Sequence, residues 1–137
     1  MKKQNLKILF KKRGIRVTPQ RLAVFEALIN NQNHPSAEEI YEIVKKTYEN
    51  ISKSTVYQIL HLLEELGIIT QIEIDGVQRY EHQLEFHIHA ICPKCNEIED
   101  LSSNKIKEFW DLTMEELKIK PINQEIKVFR YCGNCEN

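Results

Sequence analysis

The sequence predicts an α+β fold in two parts: a helical N-terminal part closed by a short hairpin, and a smaller mixed C-terminal part held by cysteines. Three observations predict it. Apolar residues recur at helical spacing as far as Gly67 and then change to strict alternation. An Asp75-Gly76 pair stands between two alternating runs, where a tight hairpin turn needs it. Beyond residue 84, two Cys-x-x-Cys pairs bracket the rest of the chain.

Asn5 to Lys12 carries Leu6, Ile8, Leu9 and Phe10 and ends near Gly14, a first helix. Thr18-Pro19 opens a second, a capping threonine followed by proline in the first turn, with Leu22, Val24, Phe25, Leu28 and Ile29 at helical spacing. Ser36 caps a third, and Glu39 three residues on completes a capping box. Its buried stripe is Ala37, Ile40, Tyr41 and Val44. Ser52 or Ser54 caps a fourth helix running through Leu66 and closed by Gly67. Val56, Ile59, Leu60, Leu62, Leu63 and Leu66 form its stripe. Ile68 to Ile74 then alternates, Asp75-Gly76 turns, and Val77 to Glu81 returns.

Helices closed by a two-stranded hairpin make a winged helix-turn-helix, expected over residues 1–83. In that motif the last helix enters the major groove of DNA. Its first turns display Lys53, Ser54, Thr55, Tyr57 and Gln58, side chains able to meet phosphates and base edges. The same residues would also serve as the solvated face of a helical domain that never meets nucleic acid.

Residues 84–137 are mixed. His87 to Cys92 alternates like a strand, with Glu97 to Leu101 as its partner. Asn104 to Leu117 reads as a helix capped by Asn104, and Ile122 to Tyr131 as a strand with Ile126, Val128 and Arg130 on one face. A module of this size has little core of its own and needs a metal, a partner subunit or both.

Composition excludes some classes. Of 137 residues, 42% are hydrophobic and 28% charged, ordinary for a globular protein. No apolar run reaches the ~18 residues a membrane helix needs. The start, MKKQNLKILFKKRG, is basic but lacks the apolar core and cleavage site of a signal peptide, so a cytoplasmic location is expected. In a reducing compartment cysteines serve as metal thiolates more often than as disulfides. The net charge of −1 divides into +2 up to Gln83 and −3 beyond it. Eight Lys or Arg and no acid precede Leu22, which is compatible with a polyanion partner.

Cys92, Cys95, Cys132 and Cys135 supply four thiolates, the donor set of a closed structural zinc site. The same spacing would serve two redox dithiols or a disulfide pair. A redox pair usually opens a helix beside a βαβ unit, and neither pair does. With four ligands in place the zinc site has no open position for chemistry, and it acts as a brace.

The histidines then answer to something else. Residues two apart on a strand share a face, so His87 and His89 project together, and Asp100 on the partner strand could join them. Glu81 at the end of the hairpin and His34 before Pro35 could reach them from the first domain. Imidazoles with carboxylates suit Fe(II), Mn(II) or Zn(II). Ordinary surface histidines and acids are the competing reading.

Together these residues resemble the ferric uptake regulator (Fur) family of metalloregulatory repressors. The matching segments are RVTPQRLAVFEAL, HPSAEEIYEIV, ISKSTVYQILHLLEELGII, RYE, HIHAICPKCNEIEDL and YCGNC, in the family's order over nearly the whole chain. The resemblance implies a homodimer on a palindromic DNA operator, an N-terminal DNA-binding domain (1–83) and a C-terminal dimerisation domain (84–137). It also implies a structural four-cysteine zinc and a hinge site that senses Fe(II) or Mn(II) through His34, Glu81, His87, His89 and Asp100. Arg16 matches the position that reaches toward the minor groove, and Tyr57 the base-contacting tyrosine. Gln58 stands where many relatives have Arg or Lys.

Iron-sensing relatives typically write HHDH where this chain has Phe86-His87-Ile88-His89, and often have histidine where Gln124 stands. HIHAIC and IEDL look like the peroxide-responsive (PerR) branch, although Glu81 stands where that branch commonly has aspartate. The expectation is a repressor relieved when Fe(II) and hydrogen peroxide oxidise a ligand histidine; iron-responsive (Fur) and zinc-responsive (Zur) repression are the alternatives. A small metallohydrolase would use the same cluster with an open coordination position, but no separate general base is evident. No catalytic residue is therefore assigned, and hydrogen peroxide enters only as a signal. A zinc-braced interaction module that ignores DNA is the third class.

Overall fold

The computed structural model describes residues 3–31, 34–82, 86–122 and 124–136. The chain divides into two compact units, Met1–Leu84 and Glu85–Asn137. The sequence-based boundary between 83 and 84 falls outside the described residues.

The first unit holds α1 (Lys3–Lys12), α2 (Pro19–Ile29), α3 (Ala37–Lys45), α4 (Lys53–Glu65), β1 (Thr70–Ile74) and β2 (Val77–Glu81). The helix starts are written locally. Thr18 Oγ1 accepts from the Arg21 amide at 3.2 Å, and Pro19 follows in the first turn. Ser36 and Glu39 form the reciprocal capping box. At α4 the cap is Ser52, whose hydroxyl accepts from the Thr55 amide at 3.1 Å. That helix ends in a Schellman motif: Gly67 has φ +69°, and the Ile68 and Gly67 amides close onto Leu63 and Glu64.

Leu6, Phe10, Phe25, Leu28, Ile40, Leu60 and Leu63 are fully buried in one core shared by the four helices. Burying each such side chain contributes roughly 1.5–3 kcal/mol. Ile68 and Ile69 join that core ahead of the strand, so β1 begins only at Thr70. β1 and β2 pair antiparallel through a two-residue turn in which Asp75 (φ 51°) and Gly76 (φ 76°) are both left-handed.

The second unit holds β3 (Ile88–Ile91), β4 (Ile98–Leu101), α5 (Asn104–Glu116) and β5 (Ile126–Phe129). Its sheet order is β4-β3-β5, with β3 antiparallel to β4 and parallel to β5. Ser103, not Asn104, caps α5, its hydroxyl accepting from the Ile106 amide. The last strand is shorter than the alternation suggested, because β3 offers only four residues to pair with it. Asn123, inside the predicted strand, lies outside the described residues.

Among the described residues, only Ala90, Ile91 and Cys92 are buried apolar side chains of this unit. Phe109, Leu112, Leu117, Phe129 and Tyr131 are more than half exposed. A sheet and helix this thinly packed have too little buried area to stand alone.

Candidate metal centres and nucleic-acid face

The four cysteines meet because of strand direction. β3 and β5 run parallel in register, so Cys92, one residue past β3, and Cys132, three residues past β5, emerge at the same end of the sheet. Each pair then turns tightly: the Asn96 amide donates to Cys92 O at 2.8 Å, and the Cys135 amide to Cys132 O at 2.9 Å. All four sulfurs lie within 4.8 Å of one another, and none is in a disulfide.

Cys95 Sγ and Cys132 Sγ are 3.7 Å apart. Two thiolates at the zinc–sulfur distance of ~2.3 Å and the tetrahedral angle stand about 3.8 Å apart. That pair therefore has the spacing of two ligands of one zinc ion, and the other two sulfurs lie within reach of it.

Electrostatics within the cluster are uneven in the metal-free protein. Backbone amide donation, that of Cys132 first, lowers the Cys92 thiol to about 6. The Cys132 thiol is raised, chiefly by desolvation. Cys135, sharing hydrogen bonds with Cys132, is pushed up to about 12. Four thiols this close cannot all ionise unless a cation compensates them.

In the first unit, His34 and Glu81 meet. His34 precedes α3 with a left-handed backbone (φ 52°). The Tyr80 amide donates to Pro35 O at 2.9 Å, and Ser36 bridges Arg79, so this loop is stitched to β2. As a result His34 Nε2 lies 2.8 Å from Glu81 Oε2, with both side chains at most 9% exposed. Thr70, opposite Glu81 in the hairpin register, approaches its other oxygen at 3.5 Å. Thr70 was not singled out from sequence, although the hairpin register held the signal.

In the second unit, His89 is directly opposite Asp100 across β3 and β4. His87 and His89 share a face, their Nε2 atoms 3.0 Å apart and their rings 4.4 Å apart edge to face. Asp100 Oδ1 is 3.8 Å from His87 Nε2 and 3.7 Å from His89 Nε2. Two imidazoles bound at ~2.1 Å and about 90° to one ion would have nitrogens about 3.0 Å apart. The pair is thus spaced for ligation to one cation.

On α4, Lys53, Ser54, Tyr57 and Gln58 are exposed and Thr55 is partly covered. Thr55 and Ser54 hydroxyls lie 2.8 and 3.0 Å from Ser52 Oγ, so they share the cap network. Lys53 Nζ is 3.8 Å from Glu38 Oε1 and sits over the Tyr41 ring. Arg16 is exposed in the loop before α2, and its carbonyl accepts from Arg21 at 2.7 Å. His61 is exposed beside Glu65 on the same helix.

A model of the ferric uptake regulator family matches residues 12–129. The peroxide-responsive repressor PerR of Staphylococcus epidermidis is 30% identical over 127 residues, covering 92% of this chain and 85% of its own. The Helicobacter pylori ferric uptake regulator Fur, described as having three functional metal binding sites, aligns with TM-score 0.80 and 30% identity over 98% of this chain and 91% of that one. The Campylobacter jejuni peroxide stress regulator aligns with TM-score 0.76 and 32% identity over 96% and 97%.

Proposed function

Because the chain belongs to the ferric uptake regulator family, we propose that it is a metal-dependent DNA-binding repressor, active as a homodimer, whose regulatory ion responds to hydrogen peroxide. The observation that carries this reading is the His87–His89–Asp100 trio, two imidazole nitrogens 3.0 Å apart facing one carboxylate. In this reading the buried His34–Glu81 pair completes the ligand set, so one ion is held by residues of residues 1–83 and 84–137 together.

The four-cysteine cluster holds structural zinc. The His and carboxylate ligands hold Fe(II) or Mn(II), for which mixed nitrogen and oxygen donors are suited. An ion that binds only when all five ligands converge favours one arrangement of the domains, and only that differential affinity can shift the population. Moving the equilibrium from 1:99 to 99:1 takes about 10⁴-fold preference, or about 5.5 kcal/mol. In the favoured arrangement the two α4 helices of a dimer sit at operator spacing, with Tyr57 and Gln58 toward base edges, and Lys53, Ser54 and Arg16 toward the backbone and minor groove.

An Fe(II) ion held by these ligands would catalyse the reduction of hydrogen peroxide, the two electrons coming in the net reaction from the imidazole that is oxidised. His34 or His87 then takes up one peroxide oxygen at its imidazole carbon, with water as the other product. The oxidised ring is a poor donor, the ligand set is broken and repression lifts. Support for the peroxide branch comes from HIHAIC and IEDL, and from Gln124 in place of a ligand-type residue; its amide oxygen accepts from the Trp110 indole at 2.6 Å. Glu81 favours the second reading, an iron-responsive repressor.

The test loads zinc-replete protein with Fe(II) anaerobically, pulses it with hydrogen peroxide, and pairs mass spectrometry with operator gel shift. A gain of one oxygen (about 16 Da) on the peptide holding His34 or His87, with loss of DNA binding, is expected. An unmodified protein that keeps binding DNA with Fe(II) supports the iron reading instead. No metal-dependent DNA binding at all would overturn both.

A further inference from the structure

His87 differs from His89 in how it is held. The paired register of β3 with β4 and β5 begins at Ile88, so His89 lies inside the ladder and His87 one residue before it. Extending the parallel register by two residues sets Phe86 level with Gln124, since Ile88 pairs with Ile126. Trp110 of α5 spans that place. Its ring centroid is 5.9 Å from that of Phe86, tilted by 34°, and its indole N–H donates to Gln124 Oε1 at 2.6 Å.

We infer that Phe86, Trp110 and Gln124 form a clamp that fixes the backbone entering His87, making Phe86 and Trp110 positioning residues for the regulatory ion. The inference rests on the proposed role of His87 as a ligand. Its physical content is entropic: a ligand just ahead of a strand's ladder loses freedom when the ion binds, and an aromatic contact one residue away orders it beforehand. Partners that orient a ligand histidine without touching the metal typically change affinity 10- to 100-fold when removed. Gln124 thereby has a function of its own at the root of β5. The chain has a single tryptophan, so its emission reports on this clamp alone.

The experiment titrates Mn(II) into the zinc-loaded full-length protein, reading free Mn(II) by electron paramagnetic resonance and Trp110 emission in parallel. Phe86→Ala is expected to weaken Mn(II) binding about tenfold, and Phe86→Tyr, which keeps the ring, to restore it to within about twofold. Gln124→Leu, which removes one acceptor from an exposed site, is expected to weaken it about fivefold, the effect of one hydrogen bond. Wild-type emission is expected to be quenched as Mn(II) fills the site, and the quenching to disappear in His87→Ala. Unchanged zinc content and circular dichroism in Gln124→Leu separate the effect from misfolding. Wild-type Mn(II) affinity in both Phe86→Ala and Gln124→Leu, with His87→Ala impaired, overturns the clamp and leaves the metal site standing. Wild-type affinity in His87→Ala overturns the ligand assignment, and the clamp with it.

Discussion

His89 and Asp100 face each other across β3 and β4, with His89 Nε2 3.7 Å from Asp100 Oδ1. This is a relationship of register: slipping either strand by one residue would turn one of the two to the opposite face of the sheet. The pairing makes a donor set out of two residues eleven positions apart, and its consequences can be measured.

Asp100→Asn keeps the shape of the side chain and removes its charge. The divalent-ion affinity of the regulatory site is expected to fall at least tenfold, as a charged ligand becomes a neutral one, while zinc content stays at one per chain. Isothermal titration with Mn(II) on zinc-loaded protein reads the affinity, and elemental analysis of the same sample reads the zinc. Undiminished affinity would remove Asp100 from the ligand set.

Stripping zinc with a chelator is expected to unfold the second unit selectively. That unit buries few apolar side chains, whereas the first has a core that includes Phe10, Phe25, Leu60 and Leu63. Zinc supplies roughly 10–16 kcal/mol to comparably small folds. Hydrogen exchange should show the amides of β3, β4 and β5 losing protection on chelation, and those of α2 and α4 keeping it. Equal loss in both units would contradict a local brace.

Zinc affinity should fall as pH falls, and more steeply below about 6. The Cys135 thiol, pushed up to about 12, is protonated throughout the neutral range, so zinc must displace its proton. Cys92, lowered to about 6, presents its thiolate above that value and carries a further proton to displace below it. The slope of log affinity against pH therefore gains about one unit on descending through 6. Competition titrations with a zinc chelator between pH 5 and 8 check this, and a constant slope would contradict it.

The apolar surface of α5 and β5 is expected to be covered by a second copy of the chain. Phe109 and Phe129 are each more than 60% exposed. Phe109→Glu should weaken the dimer by at least about 2 kcal/mol, roughly thirtyfold. Sedimentation at micromolar protein would then show monomer, with Mn(II) binding retained but operator affinity lost. A variant that sediments like wild type would place the dimer contact elsewhere.

Much of the fold was readable because its signals are local. Thr18-Pro19, the Ser36/Glu39 box, Gly67 and Asp75-Gly76 each satisfy a backbone need within a few residues. The cysteine pairs carried their own spacing, and so did His87 and His89. What resisted reading was set by pairing across distance. The choice of Ser103 over Asn104 as cap depended on where the chain leaves β4, and the length of the last strand on how much of β3 was available. Thr70 beside Glu81 needed the hairpin register, and the Phe86–Trp110–Gln124 contacts join three segments that no sequence period connects.

The central claim is that His34 and Glu81 hold the same ion as His87, His89 and Asp100. Its most direct measurement is the number of tight Mn(II) equivalents bound by zinc-loaded wild type, His34→Ala, His89→Ala and the double variant. One tight equivalent per chain is expected in the wild type, the same equivalent lost in each single variant, and a double variant hardly worse than either, since ligands of one ion are not additive. A wild-type protein with two equivalents, one lost with each histidine, would contradict it.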